Sequence, residues 1–206
     1  MAGAQRRAAH GAPQAPHEVR IIGGQWRRSR LPVPDAPGLR PTPDRVRETL
    51  FNWLGQDLSG WRCLDAFAGS GALGFEAASR GAARVLLVEQ DRRLAEGLRA
   101  VKERLNADAV EVVCGSAQTV MRGLAPASLD LVFLDPPYGQ GHLQPALEAA
   151  ARAVTPGGWA YVEDDQALSV LTLHWVLHRQ GRAGMVHHHL LRRTSATGNG
   201  LSPADH

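Results

Sequence analysis

From residue 61 onward, short apolar runs alternate with stretches whose apolar residues recur at helical spacing, and nothing else constrains the fold as much. Strand candidates lie at 62–66, 84–89, 109–114 and 129–134, with another at 159–163 after the Pro156-Gly157-Gly158 turn. Helical patterns fall at 71–80, 91–105, about 116–122 and 142–153. Such alternation implies a parallel sheet with helices on both faces. Two final runs, about 172–179 and 185–192, flank Gly181 and Gly184 and predict a closing antiparallel hairpin. The fold class is α/β, with a mostly parallel seven-stranded sheet.

The segment before this body is different. Residues 19–33 carry two apolar runs around Gly23-Gly24 and predict a β-hairpin with its arginines in solvent. Pro32, Pro34 and Pro37 make an extended connector, and Thr42 and Pro43 are placed to be the N-cap and first residue of a helix. Val46, Leu50, Trp53 and Leu54 give that helix one apolar face. The expected organisation is a disordered tail at 1–17, a basic hairpin arm and connector at 18–40, the body at 41–193 and a second disordered tail at 194–206.

Charge is divided along the chain. Residues 1–47 hold nine arginines and three acids, whereas 48–206 hold 14 basic and 17 acidic residues. An arginine-rich arm on an acidic body suits a phosphate-bearing partner. The apolar fraction of 44 % is that of a globular chain. No run is long enough to span a membrane, and no signal-peptide core precedes residue 18. With only two cysteines, Cys63 and Cys114, expected as small buried hydrophobes, the expectation is a cytoplasmic protein.

The run Cys63-Leu64-Asp65-Ala66-Phe67-Ala68-Gly69-Ser70-Gly71-Ala72-Leu73-Gly74 passes from a strand into a helix. Glycines there let a ligand approach the backbone, and the helix start points amides at it. Gly69, Gly71 and Gly74 satisfy the G-x-G-x-x-G pattern of dinucleotide enzymes, but Asp65 in the loop mouth would repel a pyrophosphate. The next strand ends in Glu89, placed to accept from both hydroxyls of a ribose. An acid at each strand end suits S-adenosylmethionine, which offers an amino group, a sulfonium and a ribose diol but no phosphate.

Asp135-Pro136-Pro137-Tyr138 follows the strand at 129–134. Ligands of open α/β sheets bind at that edge. The two prolines remove amide donors and leave carbonyls facing the site. An exocyclic amine on an aromatic ring is a poor nucleophile because its lone pair is delocalised. Asp135 and the Pro136 carbonyl can each accept one of its N–H bonds and aim the lone pair at a methyl carbon. Tyr138 can stack on the base.

Together with Arg20-Ile21-Ile22-Gly23-Gly24-Gln25-Trp26-Arg27, Gly38-Leu39-Arg40-Pro41-Thr42 and the helix that begins Asp44-Arg45-Val46-Arg47-Glu48, these motifs resemble the RsmD family over about 19–193. The resemblance implies a Rossmann-like class I methyltransferase. It implies transfer of methyl from S-adenosylmethionine to the N2 amine of a guanine in 16S rRNA, in an assembled or assembling small ribosomal subunit, by a monomer. By the same resemblance, Asp65, Ala66, Phe67, Gly69, Gly71, Glu89, Gln90, Ser116 and Ala117 would bind the cofactor, and Asp135, Pro136, Pro137 and Tyr138 would hold the guanine. Arg40 and Thr42 would line the mouth of the site. Arg20, Trp26, Arg27, Arg28, Arg30, Arg45 and Arg47 are the other candidate RNA contacts. Ser116 stands where the family tends to carry Asn or Asp beside the adenine amine.

The run His187-His188-His189 sits in a strand pattern, so its rings alternate between faces and no metal site is expected. Competing functions are a DNA adenine-N6 or cytosine-N4 methylase, a nicotinamide-dependent oxidoreductase and a non-catalytic RNA-binding protein. Labelled S-adenosylmethionine offered with rRNA, subunits or DNA separates them.

Overall fold

The computed structural model describes residues 18–34, 41–136, 141, 143–164, 168 and 174–195. A two-stranded hairpin, β1 (Glu18–Arg20) with β2 (Arg30–Pro32), precedes α1 (Asp44–Leu54). The body runs β3 (Arg62–Asp65), α2 (Ala72–Ser79), β4 (Arg84–Glu89), α3 (Arg92–Leu105), β5 (Val110–Cys114), α4 (Ala117–Gly123), β6 (Leu129–Leu134), α5 (Leu143–Ala153), β7 (Val154–Asp164), β8 (Trp175–Ala183) and β9 (Val186–Arg193). The seven-stranded sheet has the order β5-β4-β3-β6-β7-β9-β8, parallel from β5 to β7 and antiparallel beyond.

The alternation of side chains along each strand divides the core into two layers. Cys63, Val85, Leu87, Leu131, Phe133, Tyr161 and Leu190 face α1, α2 and α3. Leu64, Leu86, Val88, Val132, Leu134, Ala160, Val162 and Leu191 face α4 and α5.

Several local expectations are corrected. The N-terminal hairpin turns through a loop at 21–29, not at the two glycines, and it is seated on α2. Gly23 N–H donates to Glu76 and Gln25 N–H to the Ser79 carbonyl. A Cβ on Gly24, at φ +73°, would lie 1.8 Å from that carbonyl oxygen, so only glycine lets the chains approach so closely. Val19, Ile21, Leu31 and Val33 are buried in the body's core. The N-cap of α1 is Pro43, one residue later than expected, because the Thr42 hydroxyl is committed to Glu163 instead of the helix amides. Strand β7 already begins at Val154, and β8 runs through Gly181. A Cβ at Gly181 would meet the His188 ring at 2.3 Å, so the glycine makes room on the sheet face, while Gly184 supplies the turn at φ +63°. Cys63 is buried as expected, but Cys114, at the end of the edge strand β5, is exposed.

A charged cluster joins these parts. Glu76 is fully buried and accepts from Ile22 N–H at 2.7 Å, Gly23 N–H at 2.8 Å and the Arg80 Nε at 2.8 Å, with Arg47 Nη1 at 3.4 Å. Arg47 also reaches the carbonyls of Thr42 and Arg20 and the Asp44 carboxylate. One guanidinium thus ties α1, α2 and the hairpin together.

Candidate active site

The chain builds the sheet outward from β3 through β4 to β5, then crosses back to add β6 and β7 on the other side. The strand order reverses between β3 and β6, and a crevice opens above their C-terminal ends. Both motifs read from the sequence end there: Asp65 closes β3, and Asp135 and Pro136 follow β6. Pro137, Tyr138 and Arg40 lie outside the described residues.

On the β3–β4 side, Gly69 and Gly71 both adopt positive φ, at 51° and 76°, and Gly71 caps α2. Glu89 spans the loop. Its Oε2 accepts from Gly69 N–H at 2.9 Å and its Oε1 from Asp91 N–H at 2.8 Å. Each oxygen keeps a lone pair for a further donor such as a hydroxyl. Phe67 is half-buried and Gln90 exposed beside them. Ser116 is exposed at the N-cap of α4 with its hydroxyl free of any cap bond, and Ala117 is buried behind it.

Asp65 is buried beneath the loop, where its Oδ2 accepts from Gly74 N–H at 3.0 Å. Withdrawal from water raises its pKa to about 7 against those loop bonds, and the nearby Glu89 and Glu163 add to the rise. It therefore braces the loop at the cost of an easily protonated carboxylate.

On the β6–β7 side stands a residue that reading by motif missed. Val162 pairs with Leu134, so Glu163 lies across from Asp135 one residue further, continuing the row of Phe133 and Tyr161. Glu163 is buried, and its Oε1 accepts from the Thr42 hydroxyl at 2.7 Å and the Tyr161 hydroxyl at 2.9 Å. Burial pushes Glu163 upward despite these bonds. Asp135 is held well above the ordinary carboxylate range by loss of water first, then by Glu163 and Asp65. The available signal was an acid closing the strand next to Asp-Pro-Pro-Tyr, the same signal that pointed to Glu89.

None of these three carboxylates has an ion-pair partner among the described residues. Acids left unpaired in a crevice, two of them buried and Asp135 half-buried, are costly, and they mark a place where a ligand brings positive charge or donors.

Two candidate RNA contacts are corrected by burial. Arg47 has no exposed surface because it holds Glu76 and Asp44, and Thr42 is buried against Glu163. Arg20 pairs with Asp44 and Arg30 with Glu18, both on the surface. Trp26 packs half-buried on the core, while Arg27, Arg28 and Arg45 are exposed.

A sheet of this order, with a glycine loop after its first strand and an acidic crevice at the reversal, defines a Rossmann-like methyltransferase. Known proteins agree. A family model described as "Conserved hypothetical protein 95" matches residues 19–192, and the chain belongs to that family, the RsmD family. It is 43 % identical to the Ribosomal RNA small subunit methyltransferase D of Escherichia coli (strain K12), over 91 % of this chain and 95 % of that protein. The Haemophilus influenzae protein of the same name is 39 % identical over 86 % of this chain and 95 % of its own length. The solved yhhF protein from Escherichia coli superposes with a TM-score of 0.77 at 41 % identity, covering 86 % of this chain and 99 % of that one.

Proposed function

We propose that the protein transfers methyl from S-adenosylmethionine to the N2 amine of a guanine in 16S rRNA. One observation carries this reading: Asp135 and Pro136 stand across the crevice from the Asp65–Glu89 loop, with Glu163 at their side. The donor set fits the cofactor, since Glu89 has acceptor capacity for a diol and Asp65 lies where a cationic amine would favour its ionised form. Bound there, S-adenosylmethionine supplies an electrophilic methyl carbon.

The chain's own groups do the rest. Ionised Asp135 and the Pro136 carbonyl accept the two N–H bonds of the guanine amine and turn its lone pair toward the methyl carbon. As the nitrogen took the methyl group, the carbon–sulfur bond would break and leave its electron pair on a neutral thioether, and the nitrogen would become positive and lose one proton. Asp135 takes it, and its raised pKa makes it a stronger proton acceptor than an ordinary carboxylate. Tyr138 stacks on the base, and Ser116 supports the adenine edge. The expected partner is the small ribosomal subunit, assembled or assembling, and the protein works in the cytoplasm.

The test is a methylation assay with labelled S-adenosylmethionine on 16S rRNA, small-subunit particles and duplex DNA, followed by nucleoside digestion. N2-methylguanosine from the RNA arms supports the reading. N6-methyladenine or N4-methylcytosine from the DNA arm would replace it.

A further inference from the structure

The acidic balance of the body conceals a basic end. Residues 48–173 hold ten basic and sixteen acidic residues, whereas 174–195 hold four arginines, five histidines and no acid. That segment is the hairpin β8–β9, with β8 at the open edge of the sheet and Val176 to Gln180 all exposed. The arginines of the hairpin differ in their partners from seven others. Arg20, Arg30, Arg47, Arg62, Arg80, Arg84 and Arg92 each pair with a carboxylate. Among the described residues, Arg179 and Arg182 bond only backbone carbonyls, of His178 and Gly184, Arg193 bonds the Val154 carbonyl, and Arg192 lies 5.5 Å over the Trp159 ring. His178 packs on the same ring at 4.9 Å.

Topology places this charge beside the catalytic crevice. Asp164 pairs with His187, and His187 with Arg182, so Arg182 stands two strand spacings, roughly 10 Å, from the strand end that carries Glu163. The turn at Gly184 and the exposed Met185 project from that same edge. Exposed Arg45 is the second residue of α1, three residues beyond Thr42, whose hydroxyl bonds Glu163. By contrast, Arg27 and Arg28 belong to the loop bound to Ser79, at the end of α2 away from the glycine loop. An eight-residue helix puts them about 12 Å from it.

We propose that the β8–β9 hairpin, through Arg179 and Arg182, grips the RNA backbone next to the target guanine. This rests on the rRNA reading above. Guanidiniums on an exposed strand that meet no carboxylate among the described residues take phosphates, each releasing a bound counterion; Arg182 holds the nucleotides flanking the one drawn in, and Arg179, three residues or roughly 10 Å further down the strand, the backbone beyond them.

The test compares wild type, the Arg179→Glu/Arg182→Glu variant and the Arg179→Lys/Arg182→Lys variant. Binding to transcribed 16S rRNA and to small-subunit particles is measured across salt concentrations, with calorimetry of S-adenosylmethionine as the control. The Glu variant is expected to lose tenfold or more in RNA affinity. Its log affinity against log salt should be shallower by roughly 1.5, because two phosphates are no longer neutralised, with cofactor affinity unchanged. The Lys variant, which keeps the charge, should keep most of the salt slope. Unchanged RNA affinity and slope in the Glu variant would overturn the proposal and leave the arginines as guards of an unpaired sheet edge. Wild type that fails to bind rRNA at all would instead overturn the rRNA reading itself.

Discussion

Replacing Asp65 by Asn separates what this carboxylate contributes to the ligand site from what it costs the fold. Its pKa stands at about 7 in the folded chain, against an ordinary 3.8, chiefly because burial disfavours the charged form. A group whose pKa is raised on folding contributes fully at low pH, and that contribution is lost as pH rises toward the folded value. Between about pH 4 and 7 the unfolded chain ionises Asp65 and the folded chain does not, so stability falls. Integrating the two titrations gives a cost of about 2 kcal/mol near pH 5 and about 4 kcal/mol near pH 8. Asn cannot ionise, and its side-chain oxygen can still accept from Gly74 N–H. The effect of Asp65→Asn on unfolding free energy should therefore become more favourable by roughly 2–3 kcal/mol between about pH 5 and about pH 8. Urea unfolding of both proteins at the two pH values, without cofactor, measures this. The same variant should bind S-adenosylmethionine more weakly in calorimetry, since a neutral amide offers a cationic amine no opposite charge. A substitution effect equal at both pH values would show that Asp65 ionises normally and would refute the reasoning.

Removing the charge of Glu163 with Gln should lower the Asp135 pKa, so the ascending limb of the single-turnover pH–rate profile should move to lower pH; an unmoved limb would disconnect the two. Asp135→Asn should cut turnover about a hundred- to a thousandfold with cofactor affinity nearly constant, read by rapid-quench methylation beside calorimetry. Glu89→Gln should weaken cofactor binding and, through the weakened bond to Gly69, loosen the glycine loop, visible as faster amide exchange at 69–71. Arg47→Ala should destabilise by about 3–5 kcal/mol in urea because it removes a buried guanidinium that Glu76 shares with Arg80 and leaves the Thr42 and Arg20 carbonyls without their donor, whereas Arg45→Ala, on the surface, should change stability little.

The sequence by itself determined the order of elements and pointed to half of the candidate site. Period-two and helical patterns are local, so the sheet strands, the crossover helices and the closing hairpin were legible from residue spacing alone. Asp65, Glu89 and Asp135 were legible for a related reason: a polar residue at the end of an apolar strand of an α/β sheet must lie at its C-terminal edge. Tertiary structure decided what pairing and burial decide. Arg47 reads as a solvent-facing arginine in a basic segment, yet its helix face turns it onto Glu76, 29 residues away. Thr42 reads as a helix cap, yet its hydroxyl is taken by Glu163 from across 121 residues. Glu163 itself joined the candidate site only when β7 came to rest beside β6, because a parallel register aligns strand ends that no sequence spacing connects. The same holds for charge: composition counted the arginines of the C-terminal hairpin into an acidic body, and only the folded sheet sets them at its open edge beside the crevice.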